Sequence, residues 1–499
     1  MMKSKFHTMP IPTRYALGWR FFGFLVLMAA PASVFAWMPP IGIPTPEFGI
    51  VESVSDQTFT HWVDNSNPSC SDGSDGTPSS PRCSVPKLLE AGDVVQIRGG
   101  PYSAGTVTWT AIGTPANPVF IRGPADGDKI VFEGNSDIDF QGTYGILENV
   151  DLPRLTFQGG GATHHLSLRH SHVHDHPGTG SMTRVSSDTS NIVIWDNEIN
   201  NNGVIPSPAD HHGINIGSLA DRIWIVDNHI HHNSGDGVQF CHSCNSGEAP
   251  SNIFIGRNHM HDDEENAMDF KGFNGPVIVS QNVIHGYRTG QYSGNGDAIR
   301  INDEGQQGDI WVIYNEIFDS RMGINPSGAA AQIRLIGNVI HDIINGPAIS
   351  WDADIVVNNT IYDINGDAIR GGEAQNNIIV NVSGEAIGDE VTNCSNNLIT
   401  AGTLSVSCTN GENSDPLLLI DAENSAYGIG ANSPAIDNGV IDHPTYADFE
   451  NTYGLSIRFD HNGDLRLQGS GWDIGAHEFG SDSGMPRPSP PTDLTISGM

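Results

Sequence analysis

The sequence is poor in basic residues, and lysine is especially scarce. Lysine and arginine together number 23, against 58 aspartates and glutamates, and the formal net charge is −35. Such a chain repels the phosphates of nucleic acids and of anionic membranes, which excludes nucleic acid as a partner. After residue 36 the lysines are Lys87, Lys129 and Lys271 alone, so each is worth testing as a functional group.

Long apolar runs are also missing, apart from one near the amino terminus. Residues 21–30 form an apolar run of ten residues behind a basic start, and a small-residue cleavage site ends at Ala36. Ten residues are too few to cross a bilayer, which takes about 20, whereas this order of segments is typical of a secretory signal peptide. We therefore expect a signal peptide, a secreted (extracellular or periplasmic) protein and no membrane span.

Cysteines are few, six in all, and they occur in local pairs. The pairs are Cys70 with Cys83, Cys241 with Cys244, and Cys394 with Cys408. A zinc site built on the Cys241–Cys244 motif would need a second matching pair of ligands, and none follows at the right spacing. Local pairs in an exported chain favour three short-range disulfides, although spacing alone leaves the connectivity open.

Leucine is sparse and long amphipathic helical stretches are absent, which excludes a leucine-rich horseshoe and an open α/β sheet. The chain instead contains a repeat, in which an asparagine is followed two positions later by an apolar residue. A propeller blade would repeat only every 40–50 residues or so, whereas these asparagines lie 21 to 33 residues apart. They are Asn197, Asn228, Asn258, Asn282, Asn315, Asn338 and Asn359.

A second repeated string follows each asparagine and alternates apolar with polar residues, as a half-buried strand does. One such strand cannot bury its apolar side, but stacked copies bury it as a continuous ladder. The sequence therefore predicts an all-β fold, a right-handed parallel β-helix solenoid, in which the asparagine amides bond to the backbone of the next coil. The predicted apolar ladder is Ile214, Val238, Met268, Ile299, Ile324, Ile349 and Ile369.

The composition divides the chain into five segments. We predict a signal peptide at 1–36, an amino-terminal extension or cap at 37–89, the β-helix at 90–410, a carboxy-terminal cap at 411–480 and a proline-rich linker or tail at 481–499. The last segment is predicted to be stiff because it contains the run Pro-Arg-Pro-Ser-Pro-Pro.

Alternation along the strands places polar side chains together on the outside of neighbouring coils. If Met268 and Phe270 point inward, Asp269 and Lys271 point outward. Adjacent coils lie about 5 Å apart, so the outward residues are within reach of one sugar ring. The neighbours that share this surface are predicted to be Asn215, Gln239, Arg300 and Asn302.

The turns that precede these strands are rich in oxygen ligands, most of all residues 262–266. Carboxylates that converge from adjacent coils suit Ca²⁺, which takes six to eight oxygens. The predicted calcium ligands are Asp236, Glu264, Glu265 and Asp269. Aspartates also favour solvated turns, and for Asp236 and Asp297 taken singly we expect that simpler role.

Two long connections flank the lysine and are predicted to form the walls of a cleft. One contains residues 285–299, where Tyr287, Arg288 and Tyr292 are candidate substrate-binding residues because aromatic rings stack on sugars. The other contains His211 and His212, of which His212 is the candidate for a second acid or base.

Residues 264–271 (Glu-Glu-Asn-Ala-Met-Asp-Phe-Lys), followed by Asp297-Ala298-Ile299-Arg300, resemble the active coils of β-helix polysaccharide lyases. The resemblance is to the alginate lyase and chondroitinase B group (family 6) and to the family 9 pectate lyases. Glu264 matches the first glutamate of the family 6 pattern, whereas Asn266 stands where that pattern has its second. Residues 91–102 and 473–478 also resemble terminal segments of secreted β-helix proteins.

This resemblance implies β-elimination on a uronic-acid-containing polysaccharide. Calcium would neutralise the substrate carboxylate, Lys271 would remove the adjacent proton, and Arg300 would bind the carboxylate or assist the leaving oxygen. Lys271 would need a lowered pKa, which Asp269 opposes unless calcium holds it. We expect the protein to act as a monomer.

Other functions fit the same fold. A glycoside hydrolase could use Asp236 and Asp269 as paired carboxylates, a uronate epimerase shares the first step of the lyase, and a carbohydrate-binding protein needs no catalysis. A further pattern is structural: histidines recur three residues after the ladder position, which predicts a stacked row. They are His174, His231, His261, His285 and His341.

Overall fold

The computed structural model describes residues 37–480, apart from 126, 177–179, 207–208, 241–243, 245–246, 289–295, 303–307, 328–331, 412 and 422–425. The predicted signal peptide and proline-rich tail therefore lie outside the described residues. Nearly all regular structure is β-strand, and the α-helix α1, Pro444–Tyr453, comes near the end of the described chain.

The strands, in chain order, are β1 (His61–Asp64), β2 (Leu88–Glu90), β3 (Val94–Arg98), β4 (Thr106–Ile112), β5 (Val119–Arg122), β6 (Ile130–Val131), β7 (Asp137–Glu148), β8 (Val150–Leu152), β9 (Leu155–Phe157), β10 (His164–Arg169), β11 (His172–His174), β12 (Thr183–Val185), β13 (Ser190–Trp195), β14 (Glu198–Asn200), β15 (Ile214–Ile216), β16 (Asp221–Val226), β17 (His229–His231), β18 (Val238–Phe240), β19 (Ser251–Gly256), β20 (His259–His261), β21 (Met268–Phe270), β22 (Val277–Ser280), β23 (Val283–His285), β24 (Asp297–Asn302), β25 (Ile310–Ile313), β26 (Glu316–Phe318), β27 (Met322–Ser327), β28 (Ile333–Ile336), β29 (Val339–Ile343), β30 (Ile355–Val357), β31 (Thr360–Ile364), β32 (Ile369–Gln375), β33 (Ile378–Val382), β34 (Glu385–Ser395), β35 (Leu398–Ile399), β36 (Thr403–Leu404), β37 (Leu418–Asp421) and β38 (Ala426–Ile429).

Three parallel sheets run along the solenoid. Most coils contribute one strand to each sheet, whereas β7, β32 and β34 continue through two of them. The coil that begins with β15 continues through β16 and β17, and β18 then pairs with β15 to start the next coil. We call the sheet of β15 and β18 the first sheet, that of β16 and β19 the second, and that of β17 and β20 the third. The predicted parallel β-helix is confirmed, and its parallel pairing already includes β1, which lies before residue 90.

The apolar ladder of the first sheet has the predicted register. Ile214 pairs with Val238, and the row continues through Met268 and Ile299 to Ile324. Single bridges extend it to Ile349 and Ile369. All seven side chains are fully buried, so the ladder forms the wall of a continuous hydrophobic core.

The asparagine ladder is also confirmed, at the turn between the second and third sheets. Asn258 illustrates it: its backbone N–H and its side-chain amide both donate to Oδ1 of Asn282, each at 2.9 Å, and the amide also donates to the Ile225 carbonyl at 2.8 Å. The residue before each asparagine adopts a left-handed conformation, for example Asp227 with φ 58°. The ladder thus supplies partners to buried backbone groups in a turn too tight to satisfy them itself.

The outside of the second sheet is covered by two segments from the ends of the chain. An amino-terminal strap, residues 38–58, runs along it: Arg257 donates to the Met38 carbonyl at 2.7 Å, Trp224 to Pro44 at 2.8 Å and Arg122 to Thr58 at 2.9 Å. Residues 436–478 cover later coils, as in the 2.9 Å bond from Asn376 to the Val440 carbonyl. The first and third sheets therefore carry the polar outer surfaces.

Disulfides join Cys70 to Cys83 and Cys394 to Cys408, as predicted. Cys244 is also disulfide-bonded, while its predicted partner Cys241 lies outside the described residues. No helix within the described part of the chain is long and apolar enough to cross a membrane.

Candidate active site on the first sheet

The predicted functional side chains stand in register on four neighbouring strands of the first sheet. Asn215 of β15 pairs with Gln239 of β18, which pairs with Asp269 of β21, which pairs with Arg300 of β24. Because their strand neighbours point into the core, these residues point outward. They form a row with a rise of about 4.8 Å per coil.

Lys271 and Arg300 are joined through a carboxylate and an amide. Lys271 donates a hydrogen bond to Oδ2 of Asp269. The other oxygen of Asp269 accepts from Asn302 at 2.6 Å, and Asn302 in turn accepts from Nε of Arg300 at 3.0 Å. The Lys271 and Arg300 side chains are 17% and 28% exposed, whereas Asp269 is 2% exposed. The charged groups of Lys271 and Arg300 are therefore partly exposed to solvent, while the carboxylate of Asp269 that links them is buried.

The charges in this bridge shift the ionisation of both partners. Burial alone would lower the pKa of Lys271, but the charge and hydrogen bond of Asp269, helped by Asp236 and Glu265, raise it above the ordinary lysine value. Burial and the nearby Asp236 raise the pKa of Asp269 to about 6. At neutral pH the pair is thus an ammonium and a carboxylate, and Lys271 is not a ready-made base.

A second carboxylate organises the far side of Arg300. Asp297 is fully buried and accepts from Arg321 at 2.5 Å, from Arg300 at 3.3 Å and from Asn325 at 2.7 Å. The expectation that Asp297 is a solvated turn residue is wrong, because it compensates two arginines. Sequence reasoning missed Arg321, although it stands directly before β27 and so at the edge of the same surface.

His212 and Asp236 form a pair beside Gln239. The backbone N–H of Asp236 donates to Nδ1 of His212 at 3.0 Å, and the Asp236 carboxylate lies 3.3 Å from the same nitrogen. Burial lowers the pKa of His212, but attraction to Asp236 outweighs this and raises it, while the same attraction lowers the pKa of Asp236 against its own burial. Asp236 is fully buried, and Asn266 and Gln239 also bind it, at 2.8 and 3.1 Å. It too is not a solvated turn residue.

Of the two predicted glutamate ligands, Glu265 belongs to this cluster. Burial and the charges of Asp236 and Asp210 raise the pKa of Glu265 to about 7, while His212 and Lys271 oppose the rise. Glu264 is nearly buried, and its backbone N–H donates to the Asn233 carbonyl at 2.8 Å.

These residues do not form a ready calcium site. In the part of the chain that the structure describes, no three acidic side chains on the first sheet bring ligand atoms within 4.8 Å of one another. Both oxygens of Asp269 bind protein donors, Lys271 and Asn302, and both oxygens of Asp236 do so as well. Calcium prefers several oxygens converging on one point, so the arrangement does not fit this ion and we derive no step through it.

The prediction that Tyr287 stacks on a sugar is wrong. The ring is fully buried, and its hydroxyl donates to Asp263 at 2.7 Å. Asp263 accepts from the backbone and side chain of Asn233, both at 2.8 Å, and thus continues a second polar ladder at the turn before the first sheet. The Tyr287 side chain, which lies in the core of the solenoid, thus binds the last residue of that ladder. Burial raises the pKa of Asp263 to about 7.

The two other aromatic-loop candidates are placed differently. Arg288 is 62% exposed and pairs with Asp319 rather than with the Lys271 bridge. Tyr292 lies outside the described residues. The proposed wall of the cleft at 285–299 is therefore described only at its two ends.

The predicted histidine row is confirmed on the outside of the third sheet for His231, His261, His285 and His341, whereas Asn200 separates His174 from the stack. Ring centroids of His231 and His261 lie 4.8 Å apart, and those of His261 and His285 lie 5.0 Å apart, with planes within 6° of parallel. Beyond them Phe318 and His341 continue the stack at 4.7 and 4.9 Å.

Comparison with known proteins finds solved structures that are similar in part, but no similar sequence. No family model matches the sequence, and no curated protein matches it. Solved structures similar in fold include a pectate lyase, Pel9A (12% identity, covering 85% of this chain and 98% of that one, TM-score 0.46), and a rhamnogalacturonan lyase (13%, 79% and 98%, 0.41). A PL6 family alginate lyase, AlyGC, is 14% identical over 69% of this chain and 55% of its own, with a TM-score of 0.41. These solved neighbours are polysaccharide lyases by name; the parallel β-helix of this chain is shown by its own strand pairing.

Proposed function

We propose that this protein is a secreted lyase that cleaves a uronic-acid-containing polysaccharide by β-elimination at the first sheet. The observation that carries the proposal is the bridge from Lys271 through Asp269 and Asn302 to Arg300. It presents an amine and a guanidinium from neighbouring coils, next to the amides of Asn215 and Gln239. Arg300 offers the planar donors that recognise a carboxylate, and Lys271 is the neighbouring group able to take a proton.

In the proposed reaction Arg300 pairs with the uronate carboxylate. Lys271, in its neutral form, removes the proton from the carbon next to that carboxylate. The electron pair forms a carbon–carbon double bond and expels the glycosidic oxygen, to which protonated His212 gives a proton. Because the pKa of Lys271 is raised in the free protein, its neutral form is scarce. The rate should therefore rise with pH until His212 loses its proton, and level off above that point.

The glycoside hydrolase alternative is less well supported by the same residues. An inverting or retaining pair needs two carboxyl groups that face the glycosidic bond. Asp236 is fully buried and bound by Asn266 and Gln239, so it does not face a substrate. A uronate epimerase would use the same first step and is distinguished by its products.

The test is a screen of pectate, alginate, chondroitin and hyaluronan, with and without a chelator. Elimination creates an unsaturated uronide with its own ultraviolet absorbance, which neither hydrolysis nor epimerisation yields. We expect Lys271→Ala to lower the rate by roughly 100- to 10,000-fold, the usual contribution of a general base, and Lys87→Ala to leave it unchanged. Full activity in Lys271→Ala, or reducing ends without unsaturation, would reject the proposal.

Secretion is part of the proposal. Disulfides persist in oxidising compartments, and two of them, Cys70–Cys83 and Cys394–Cys408, stand at the two ends of the solenoid. Detection of the mature chain in culture medium or periplasm, starting after residue 36, is the measurement that checks it.

A further inference from the structure

The third sheet carries a concentration of imidazoles that the proposed reaction does not use. In each coil its strand presents two outward residues, which form two columns. The first column contains His229 and His259 as neighbours, and the second contains His231, His261 and His285. Five histidines thus occupy three consecutive strands, β17, β20 and β23.

Ring stacking alone does not explain these histidines. The second column continues through Phe318 and Tyr362 at the same spacing, so any flat ring serves for stacking. The first column continues with Val283 and Glu316, so it has no stacking requirement. Histidine fills both columns in β11, β17 and β20. Of these strands, β17 and β20 are neighbours, and the nitrogens of the two columns meet there.

The nitrogens converge rather than point apart. Nε2 of His229 lies 2.7 Å from Nε2 of His261, and ligand atoms of His229, His231 and His261 all lie within 4.8 Å of one another. A carboxylate is also close, since Oε1 of Glu198 lies 3.4 Å from Nε2 of His231. Four ligands at Zn–N bonds of 2.0–2.1 Å lie roughly 3.3 Å apart in a tetrahedron, so small side-chain movements suffice.

A neighbouring carboxylate orients the ring of His261 so that Nε2 can bind a metal. Nδ1 of His261 lies 2.9 Å from the Asp262 carboxylate. A carboxylate only accepts, so Nδ1 carries the proton and Nε2 keeps its lone pair. This carboxylate–histidine arrangement orients metal-binding imidazoles in general. The site is also reachable, because His231 and His261 are 13% and 14% exposed and a surface pocket is lined by Glu198 and His229.

We infer that His229, His231 and His261, with Glu198 as the fourth ligand, form a binding site for a divalent transition metal of the zinc class on the third sheet. Imidazole suits Zn²⁺, Cu²⁺ and Ni²⁺, whereas Ca²⁺ and Mg²⁺ prefer oxygen. This site lies on a different sheet from the Lys271 cluster, and its existence does not depend on the proposed lyase reaction.

The test uses the full secreted chain without a histidine tag, with Zn²⁺ alone as the probe. In competition with a chromophoric chelator, we expect one equivalent of Zn²⁺ that depends on His261 and is separate from the cluster of Asp151, His172 and His174. Tetrahedral visible bands should appear when Co²⁺ is added instead. His261→Phe keeps a ring in the stack, as Phe318 does, but removes a ligand, and should weaken binding at least tenfold. His341→Phe makes the same exchange at another point of the column and should leave binding unchanged.

Further variants guard against misfolding as an explanation. Asp262→Asn leaves all ligands in place and should weaken Zn²⁺ binding by roughly 10- to 100-fold, as loss of an orienting carboxylate does. Melting curves without metal should match for His261→Phe and His341→Phe. Equal Zn²⁺ affinity in these two variants, or no stoichiometric binding by the unaltered protein, would overturn the inference.

Discussion

Replacing Asp269 with asparagine tests the electrostatics of the candidate active site directly. In the structure Lys271 donates to Asp269, whose side chain is almost fully enclosed. Asparagine retains an oxygen that can accept this hydrogen bond and a similar volume, but it removes the negative charge. The substitution removes the Coulomb attraction that holds the proton on Lys271, and with it the oxygen that accepts from Asn302.

The size of the effect follows from the closeness of the pair. Two unit charges about 4 Å apart attract by about 4 kcal/mol at an effective dielectric constant near 20. Since roughly 1.4 kcal/mol corresponds to a tenfold change in an acid dissociation constant, losing this attraction makes the proton up to about 1,000-fold easier to remove. Asp236 and Glu265 still attract it, so we expect a change of roughly 100- to 1,000-fold.

Lysine scarcity makes the measurement simple. With ¹³C-labelled lysine, the mature chain gives signals from Lys87, Lys129 and Lys271 only, and Lys271→Arg assigns the last. We expect the Lys271 signal to titrate at distinctly lower pH in Asp269→Asn while the other two stay fixed. Asp319→Asn, which removes the same charge beside Arg288, should move none of them. An unchanged Lys271 titration in Asp269→Asn would refute the charge-pair reasoning.

Three further predictions concern the ladders. Asn282→Ala leaves two buried donors of Asn258 without their acceptor and should lower the free energy of unfolding by roughly 2–6 kcal/mol, at about 1–3 kcal/mol per buried group left unpaired. Denaturant unfolding measures this loss, and the exposed Asn365→Ala should cost under about 0.5 kcal/mol. The pKa of Asp263 is about 7 in the folded protein, so the folded state holds this proton more tightly than the unfolded state does. The free energy of unfolding therefore falls as pH rises from about 4 to about 7. Asp263→Asn should remove this fall and stabilise the protein at pH 8 by up to about 4 kcal/mol, with no gain at pH 4. Tyr287→Phe removes a hydrogen bond to the ionised Asp263, so the end of the fall should move to higher pH, and an unmoved profile would contradict that contact.

The repeat was enough to predict the solenoid because its signals are local. The alternation of apolar and polar residues within each short strand predicted that side chains such as Asp269 and Arg300 point outward. The parallel register then followed from placing equivalent residues of successive repeats next to each other. The asparagine ladder was predictable for the same reason, since one residue type at one turn position implies a shared hydrogen-bond role.

Residues in the turns were harder to predict because their direction depends on the path of the backbone and not on a period. Tyr287 is buried against Asp263 rather than exposed, and Asp297 lies beneath two arginines rather than in solvent. The strap on the second sheet was missed too. A signal for it exists: strands such as Ile310–Ile313 are apolar at every position, which is typical of strands covered on both sides.

The path of the strap imposes an order on biosynthesis. The backbone N–H of Ile41 donates to the side chain of Gln281, 240 residues further along the chain, while Thr58 rests near Arg122. A ribosome releases the amino end first, so this segment meets Gln281 only after more than half the polypeptide has been made, and Gly42 meets Phe449 and Ile457 later still. Until then the outer apolar surface of the second sheet is uncovered. Nascent chains stalled before Gln281 should therefore be the ones that aggregate or bind chaperones.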